Sequence, residues 1–515
     1  MTRILASRTS RRLLLLACTL LAAGPAHAIN GKPAVDRETV VMAVSKEIAN
    51  LDGQVTASGD SQRYGWQLYD TLYALDKSGK PAPSLAVSYE ISPDHLTYTF
   101  KLRPNVKFHN GAVMTAEDVK YSMERILDPA VKSTRRPSFA SIIASVEAPS
   151  PDTVVFHLSK PDGAFLNKVT GYLFIVPKAY TQGLGSPEAF ARAPVGTGPY
   201  KFVEQKIGQS VTLDRFDDYF GPKPGIKRLI FRLIEEPSSR VNALLAGEVD
   251  MSDGIPTVDV ERLKKTPGLS VVALPIGSPL AVRIYSNDPA SPLANPKVRL
   301  ALNYGLDINA LIKSVLHGVG APLSSYISSY YPYGVNKDLK PYGYDPAKAK
   351  QLLKEAGFPN GFDTTIYSSS DWPKEIAETV AAYWSQIGVR AKIQRIDYAA
   401  WSRLNNTHKS GPLTLMQMSN AISDPIHPVS GAASKDGTWS DYSNPQVEAL
   451  LTEVNTKVDV ADRDRIFQQI GKVLRDDAQS VLLTELIYVF GKDSDLVWDP
   501  QAGIAWYDLR TLSWK

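Results

Sequence analysis

Hydrophobic and polar positions change their period several times along the chain. Residues 39–44 (TVVMAV) are an almost unbroken apolar run, as expected of a strand buried on both faces. Residues 95–102 (HLTYTFKL) and 152–158 (DTVVFHL) alternate at period two, which predicts half-buried antiparallel strands. After Thr115 the pattern switches. Val119, Met123 and Ile126 recur at spacings of three and four, one face of a helix. Thr115 and Asp118 have the spacing of a capping box, and Asn110-Gly111 just before them is a tight-turn pair.

The middle of the chain is richer in helix. Asn295-Pro296 starts a helix through Val298, Leu302 and Leu306 and on towards Leu311. Asp345-Pro346 opens another, which Gly357 ends. Residues 363–367, 374–387 and 389–396 read as strand, helix, strand, a βαβ unit. Residues 240–245 form a short helix stopped by Gly247, residues 445–454 and 462–476 are the last long helices, and residues 481–490 are a long apolar final strand. Alternating strands and helices predict an α/β fold. No linker is long or Pro/Gly-rich enough to detach a part, so the parts pack closely.

The N-terminus adds a compartment. Arg3, Arg8, Arg11 and Arg12 precede an apolar run at 13–23 and the small-residue site Ala26-His27-Ala28. This is the pattern of a secretory signal cleaved after Ala28, with an apolar part too short to span a bilayer. Ser10-Arg11-Arg12 resembles a twin-arginine signal, which leaves the general and the twin-arginine export routes open. Leu15-Leu16-Ala17-Cys18 resembles a lipoprotein box, but only about five apolar residues precede the cysteine, so lipidation is set aside. Cys18 is the only cysteine, and a mature chain without it has neither disulfides nor thiol chemistry. Loss of the four signal arginines takes the formal charge from +4 to zero. No basic excess then points to nucleic acid or an anionic membrane.

Catalytic motifs are missing. There is no Gly-x-Ser-x-Gly, no phosphate-binding loop, no His-Glu-x-x-His and no Gly-x-Gly-x-x-Gly. His95, His109, His157, His317, His408 and His427 are scattered, and none stands at ligand spacing from another. Nothing implies a metal or a cofactor.

Residues 89–127 (YEISPDHLTYTFKLRPNVKFHNGAVMTAEDVKYSMERIL) closely resemble the signature segment of the family 5 solute-binding proteins of ABC transporters, the extracytoplasmic dipeptide, oligopeptide and nickel receptors. Further similar motifs follow in the family's order, among them PVGTGPYKF at 194–202, RVNALLAGEVD at 240–250 and NPKVRLALNYGLD at 295–307. The resemblance implies a two-lobed periplasmic-binding-protein type II fold with an additional third domain. It divides the chain into a signal peptide at 1–28, lobe I at 29–60, 195–285 and 485–515, an extra domain at 61–194, and lobe II at 286–484. It implies capture of a peptide or peptide-like solute by hinge closure, delivery to the membrane permease, a periplasmic location and a monomer with no nucleic-acid partner. The alternatives are a receptor for a nickel chelate, an opine-like conjugate or an oligosaccharide, or a secreted enzyme. Residues 101–119, including His109 and Glu117, are scaffold in this reading. The segments crossing between lobes are expected near 194–199, with Gly196 and Gly198 free to take unusual dihedrals, and near 280–287.

The solute is less well specified. In the peptide-binding relatives an Asp three residues before an Asp-Pro-like pair holds the peptide's amino terminus. On Asp424-Pro425 that position is Ala421. Asp424 is either the substitute carboxylate or a turn-starting residue. Asn420 binds a neutral hydroxyl or amide of the solute, or caps its own loop. Trp401, after Asp397-Tyr398, and Trp439 are candidate cleft walls, with core packing as the alternative; Tyr398 is counted with them. Arg135, with Arg136, is either a guanidinium clamp for a carboxylate or a solvated basic pair.

Overall fold

The computed structural model describes residues 37–47, 50–56, 59–503 and 508–515. The expected signal sequence, its cleavage point after Ala28, and Cys18 lie outside these residues.

The expected first strand forms at Thr39–Val44 and pairs in parallel with Arg228–Leu233. It belongs to a ten-stranded mixed sheet whose two central strands are unusually long, Leu269–Ile284 and Ser480–Asp493. These two run antiparallel along most of their length. At one end Gly491 and Lys492 also pair with Met251–Ser252, next to Thr39–Val44. At the other end Leu280–Ile284 pairs with Leu413–Gln417, next to Phe362–Ser369. One pair of strands therefore serves both halves of the sheet. Its register breaks between Pro275 and Pro279, where Gly277 has φ +61° and packs against the Gly503 carbonyl. The break in pairing therefore falls at 276–278, just before residues 280–287. Leu280 onward is already locked to the Leu413–Gln417 strand.

The predicted βαβ unit is present as Phe362–Ser369, Lys374–Ser385 and Val389–Ile396, its strands parallel from Phe362↔Val389 to Ser369↔Ile396. The helix expected from Pro296 towards Leu311 is two helices, Pro296–Tyr304 and Ile308–Ser314. Gly305 ends the first, and the Asp307 carboxylate accepts from the Ala310 amide to start the second. A locally stronger cap overrides a continuous apolar stripe.

A separate antiparallel sheet of four strands, in the order Ala86–Ile91, Thr97–Leu102, Thr153–Leu158, Ile143–Ser150, carries the signature segment. Val119, Met123 and Ile126 of the helix Ala116–Leu127 are buried in the same core as Phe100 and Phe156. The Asp118 carboxylate accepts from the Thr115 amide at 2.8 Å, closing the turn as the spacing predicts. His109 has a scaffold position. Its ring nitrogens contact the Gly196 amide at 3.2 Å and the Gly198 carbonyl at 3.0 Å, and its own amide donates to Gly196 O at 2.9 Å. Gly196 and Gly198 do not have positive φ. They are glycines for room, since a Cβ would come within 2.1 Å and 2.5 Å of the Leu68 and Gln67 carbonyl oxygens.

Candidate functional site: the cleft between the two halves

The loop after Leu413–Gln417 reaches the interface with the four-stranded part. The helix Phe165–Tyr172 packs onto it: the Asn167 amide donates to Ile422 O at 3.0 Å, and a Cβ on Gly171 would lie 2.3 Å from Ala421 O. Nearby the Gly163 amide donates to Asn455 O at 2.9 Å. Elsewhere the Lys46 ammonium, just past the first strand, meets Asp371 at 2.9 Å. The halves are drawn together.

Inside the loop the buried polar groups bond within the chain. Asn420 donates to Asp424 O at 2.9 Å and accepts from the Ile422 amide at 3.2 Å, a loop-capping geometry. Asp424 Oδ1 accepts from the Ile426 amide at 2.9 Å. Its Oδ2 accepts from Arg463 at 2.6 Å and from the Tyr333 hydroxyl at 2.5 Å. Both carboxylate oxygens of Asp424 are thus engaged, and burial of the Arg463 pair makes this a structural ion pair. The turn-starting reading of Asp424 accounts for its contacts. His427, at the foot of the loop, is pushed down to about 4 by burial and then by Lys168.

The aromatic candidates share a neighbourhood. Trp401 is buried on the helix Tyr398–Asn406, stacked on Tyr398 at 5.7 Å between ring centres. Tyr398 is half-exposed and carries the Lys46 ammonium 5.3 Å above its ring. Trp439 donates to Asn406 Oδ1 at 2.8 Å, and its ring lies 6.2 Å from His427. Trp401 Nε1 and Asn405 Nδ2, one turn apart on the same helix, are buried donors without an acceptor. Leaving each unsatisfied costs about 1 to 3 kcal/mol.

Arg135 lies elsewhere. It is buried beneath the helix Phe165–Tyr172, donating to the Tyr172 and Thr56 carbonyls with its guanidinium 4.7 Å over the Phe174 ring. Burial pulls it down to about 10. It is neither a solvated residue nor a neighbour of Trp401 or Asp424 by any of these contacts. Arg136 donates to Leu127 O at 2.8 Å.

Sequence reasoning missed Glu485. It sits opposite Pro279, beside the break in the shared strands. Its Oε1 accepts from the Ser329 amide at 2.9 Å, and its Oε2 is buried without a partner. The signal was there: one acid within the apolar run 481–490. Among the described residues no group of His, Cys, Asp and Glu is arranged to hold a metal ion, and no helix is long and apolar enough to cross a membrane.

Residues 80–440 match the middle region of the bacterial extracellular solute-binding proteins, family 5. The chain belongs to this family. As a family 5 solute-binding protein it is 32% identical over 479 residues to the glutathione-binding protein GsiB of Pectobacterium atrosepticum, covering 90% of this chain and 92% of that one. It is 32% identical over 449 residues to heme-binding protein A of Haemophilus influenzae, covering 80% of each. Its fold superposes on the ABC transporter-associated periplasmic binding protein DppA from Helicobacter pylori, solved with the peptide STSA, with a TM-score of 0.81 at 27% identity, covering 92% and 98% of the two chains. The α/β architecture is that of the family's two-lobed type II binding proteins, and these relatives are substrate-binding proteins.

Proposed function

We propose that this family 5 protein is the extracytoplasmic receptor of an ABC importer, closing its lobes on a small peptide or peptide-like solute and presenting the closed form to the membrane permease. The observation that carries this reading is the pair of strands Leu269–Ile284 and Ser480–Asp493, common to both halves of the sheet and broken at 276–278, with Lys46 to Asp371 bridging the lobes and Asn167 to Ile422 joining the extra domain to one of them. Such a geometry lets the halves swing without unfolding. A solute touching both halves favours closure by its differential affinity for the closed form. No covalent change in the solute is needed, so the protein is a receptor and not an enzyme. In this reading 61–194 is the extra domain, the expected lobe boundary at 285 moves back to the break at 276–278, and 1–28 is removed on export to the periplasm. The protein works as a monomer without nucleic acid, and flexing concentrates at 276–278 rather than at Gly196 and Gly198.

Small-angle scattering and calorimetry with glutathione, Met-Leu, a nickel–histidine chelate and an opine test this. A receptor gives heat that saturates at one equivalent and a smaller radius of gyration with at least one of them. Heat that continues after saturation sinks the receptor reading in favour of an enzyme; scattering curves unmoved by all of them sink solute capture by closure.

A further inference from the structure

Buried carboxylates in this protein are generally held by cations: Asp52 by Arg125 at 2.5 Å, Asp253 by Arg63 at 2.6 Å, Asp424 by Arg463 at 2.6 Å. Glu485 differs. It is 2% exposed and has no cationic partner among the described residues. The Ser329 amide at 2.9 Å and hydroxyl at 3.4 Å both donate to Oε1, while Oε2 accepts no hydrogen bond; burial outweighs these donors and raises the carboxyl above its ordinary range. The Tyr331 hydroxyl is a second buried group without a hydrogen bond. It lies beside the Asn420 side chain and within the field of Glu485. Two buried polar groups without hydrogen bonds thus flank the place where the two long strands break register, Glu485 opposite Pro279 and the Tyr331 ring against Gly277. A buried carboxylate lacking a counter-charge costs several kcal/mol, which a bound cation returns. Asp424 is not free for such a role, since its carboxylate is committed to Arg463 and Tyr333.

We infer that Glu485 receives the cationic nitrogen of the solute, an ammonium group, with the Tyr331 hydroxyl as its second polar contact. The inference rests on the receptor reading above. It is tested by calorimetry of the wild type, Glu485→Gln and Tyr331→Phe with glutathione, Met-Leu and the N-acetylated form of each. The amine-bearing probe that binds the wild type loses about 30-fold or more in affinity in Glu485→Gln. It loses several-fold in Tyr331→Phe, while its acetylated form binds the wild type as weakly as the amine binds Glu485→Gln and is not weakened further by the substitution. Glu485→Gln affinity within about threefold of wild type, or undiminished binding of the acetylated probe, overturns the assignment and leaves the receptor reading intact. Silence of both amine probes with the wild type removes the peptide-like reading and the assignment with it. Circular dichroism checks that Glu485→Gln folds; if it does not, Tyr331→Phe and the acetylation comparison decide.

Discussion

Two neighbouring regions treat their buried polar groups in opposite ways. In the loop 418–427 no buried side-chain polar atom lacks a partner. Asn420, Asp424, Tyr333 and Arg463 close a network among themselves and the backbone. At the strand junction and on the adjoining helix, Glu485 Oε2, Tyr331 Oη, Trp401 Nε1 and Asn405 Nδ2 are buried and unbonded. The first region has the economy of structure, where each desolvated group is satisfied. The second retains unmet hydrogen-bonding capacity, which is what a site that must bind something carries. The residue types alone would have reversed the roles, since Asn420 and Asp424 are the more familiar ligand-binding side chains.

The comparison breaks most visibly at Asp424. In Asp424→Ala the Arg463 guanidinium stays buried with its counter-charge gone, and chemical denaturation should show a loss of about 3 to 5 kcal/mol. A loss below about 1 kcal/mol would mean that the network is not structural and that Asp424 is available to a solute after all.

The sequence was readable wherever the cause was local. Thr115 with Asp118, Asn295, and Asp345 with Gly357 announce helix ends through side chains two to four residues from the groups they satisfy or terminate. The βαβ unit follows from hydrophobic period alone, and a family resemblance spread over many motifs needs no partner information. The site was not readable in the same way. Asp424 is neutralised by Arg463, 39 residues on, and by Tyr333, 91 residues back. Arg135 looks like half of an exposed basic pair, yet its neighbours Tyr172 and Phe174 come from a helix and turn nearly forty residues downstream. Glu485 acquires meaning only through the interrupted pairing opposite it. Periodicity reports which face is buried, and it is silent on which polar group meets which.

Acid and base should separate the two regions next. His427 sits well below its ordinary value of 6.5, at about 4, so the unfolded chain binds a proton there more readily than the folded one. Its contribution is present above 6.5 and lost as pH falls towards 4. The residue is mostly buried, so the loss is on the order of 1 to 3 kcal/mol. Glu485 is raised above its ordinary 4.5 by burial, the opposite case. Its contribution is present below 4.5 and lost as pH rises through its folded value. Denaturation from pH 4 to 8 should therefore show His427→Gln flattening the acid side. Over the same range Glu485→Gln should gain on the wild type as pH increases, by about 1 to 3 kcal/mol at most. Parallel curves for Glu485→Gln and wild type would show that the carboxylate is already neutralised in the empty protein.

Trp401→Phe sharpens the contrast at smaller scale. It deletes an unbonded indole donor and keeps an aromatic ring against Tyr398. Some packing is lost and one unmet donor disappears, so the net change in stability should stay within about 1 kcal/mol. Affinity for the solute should fall if Nε1 is a contact. A stability loss near 3 kcal/mol without any change in binding would place Trp401 with the structural residues.

The smallest effect belongs to the surface contact between the halves. Lys46 and Asp371 meet at 2.9 Å with half of the lysine and over a third of the aspartate side chain in water. Solvent screens such a pair and its side-chain entropy opposes it, so Asp371→Asn should alter stability by less than about 0.5 kcal/mol. The buried contacts between the extra domain and the 418–427 loop, Asn167 to Ile422 and the close approach of Gly171 to Ala421, are then the ones that hold the parts together. Scattering at low and high salt distinguishes the cases. A radius of gyration that is the same for wild type and Asp371→Asn at both ionic strengths agrees with closure governed by buried surface. Expansion of the variant at low salt alone would move control of closure to the exposed charges, and the unpaired groups at the strand break would then set only which solute binds, not whether the lobes close.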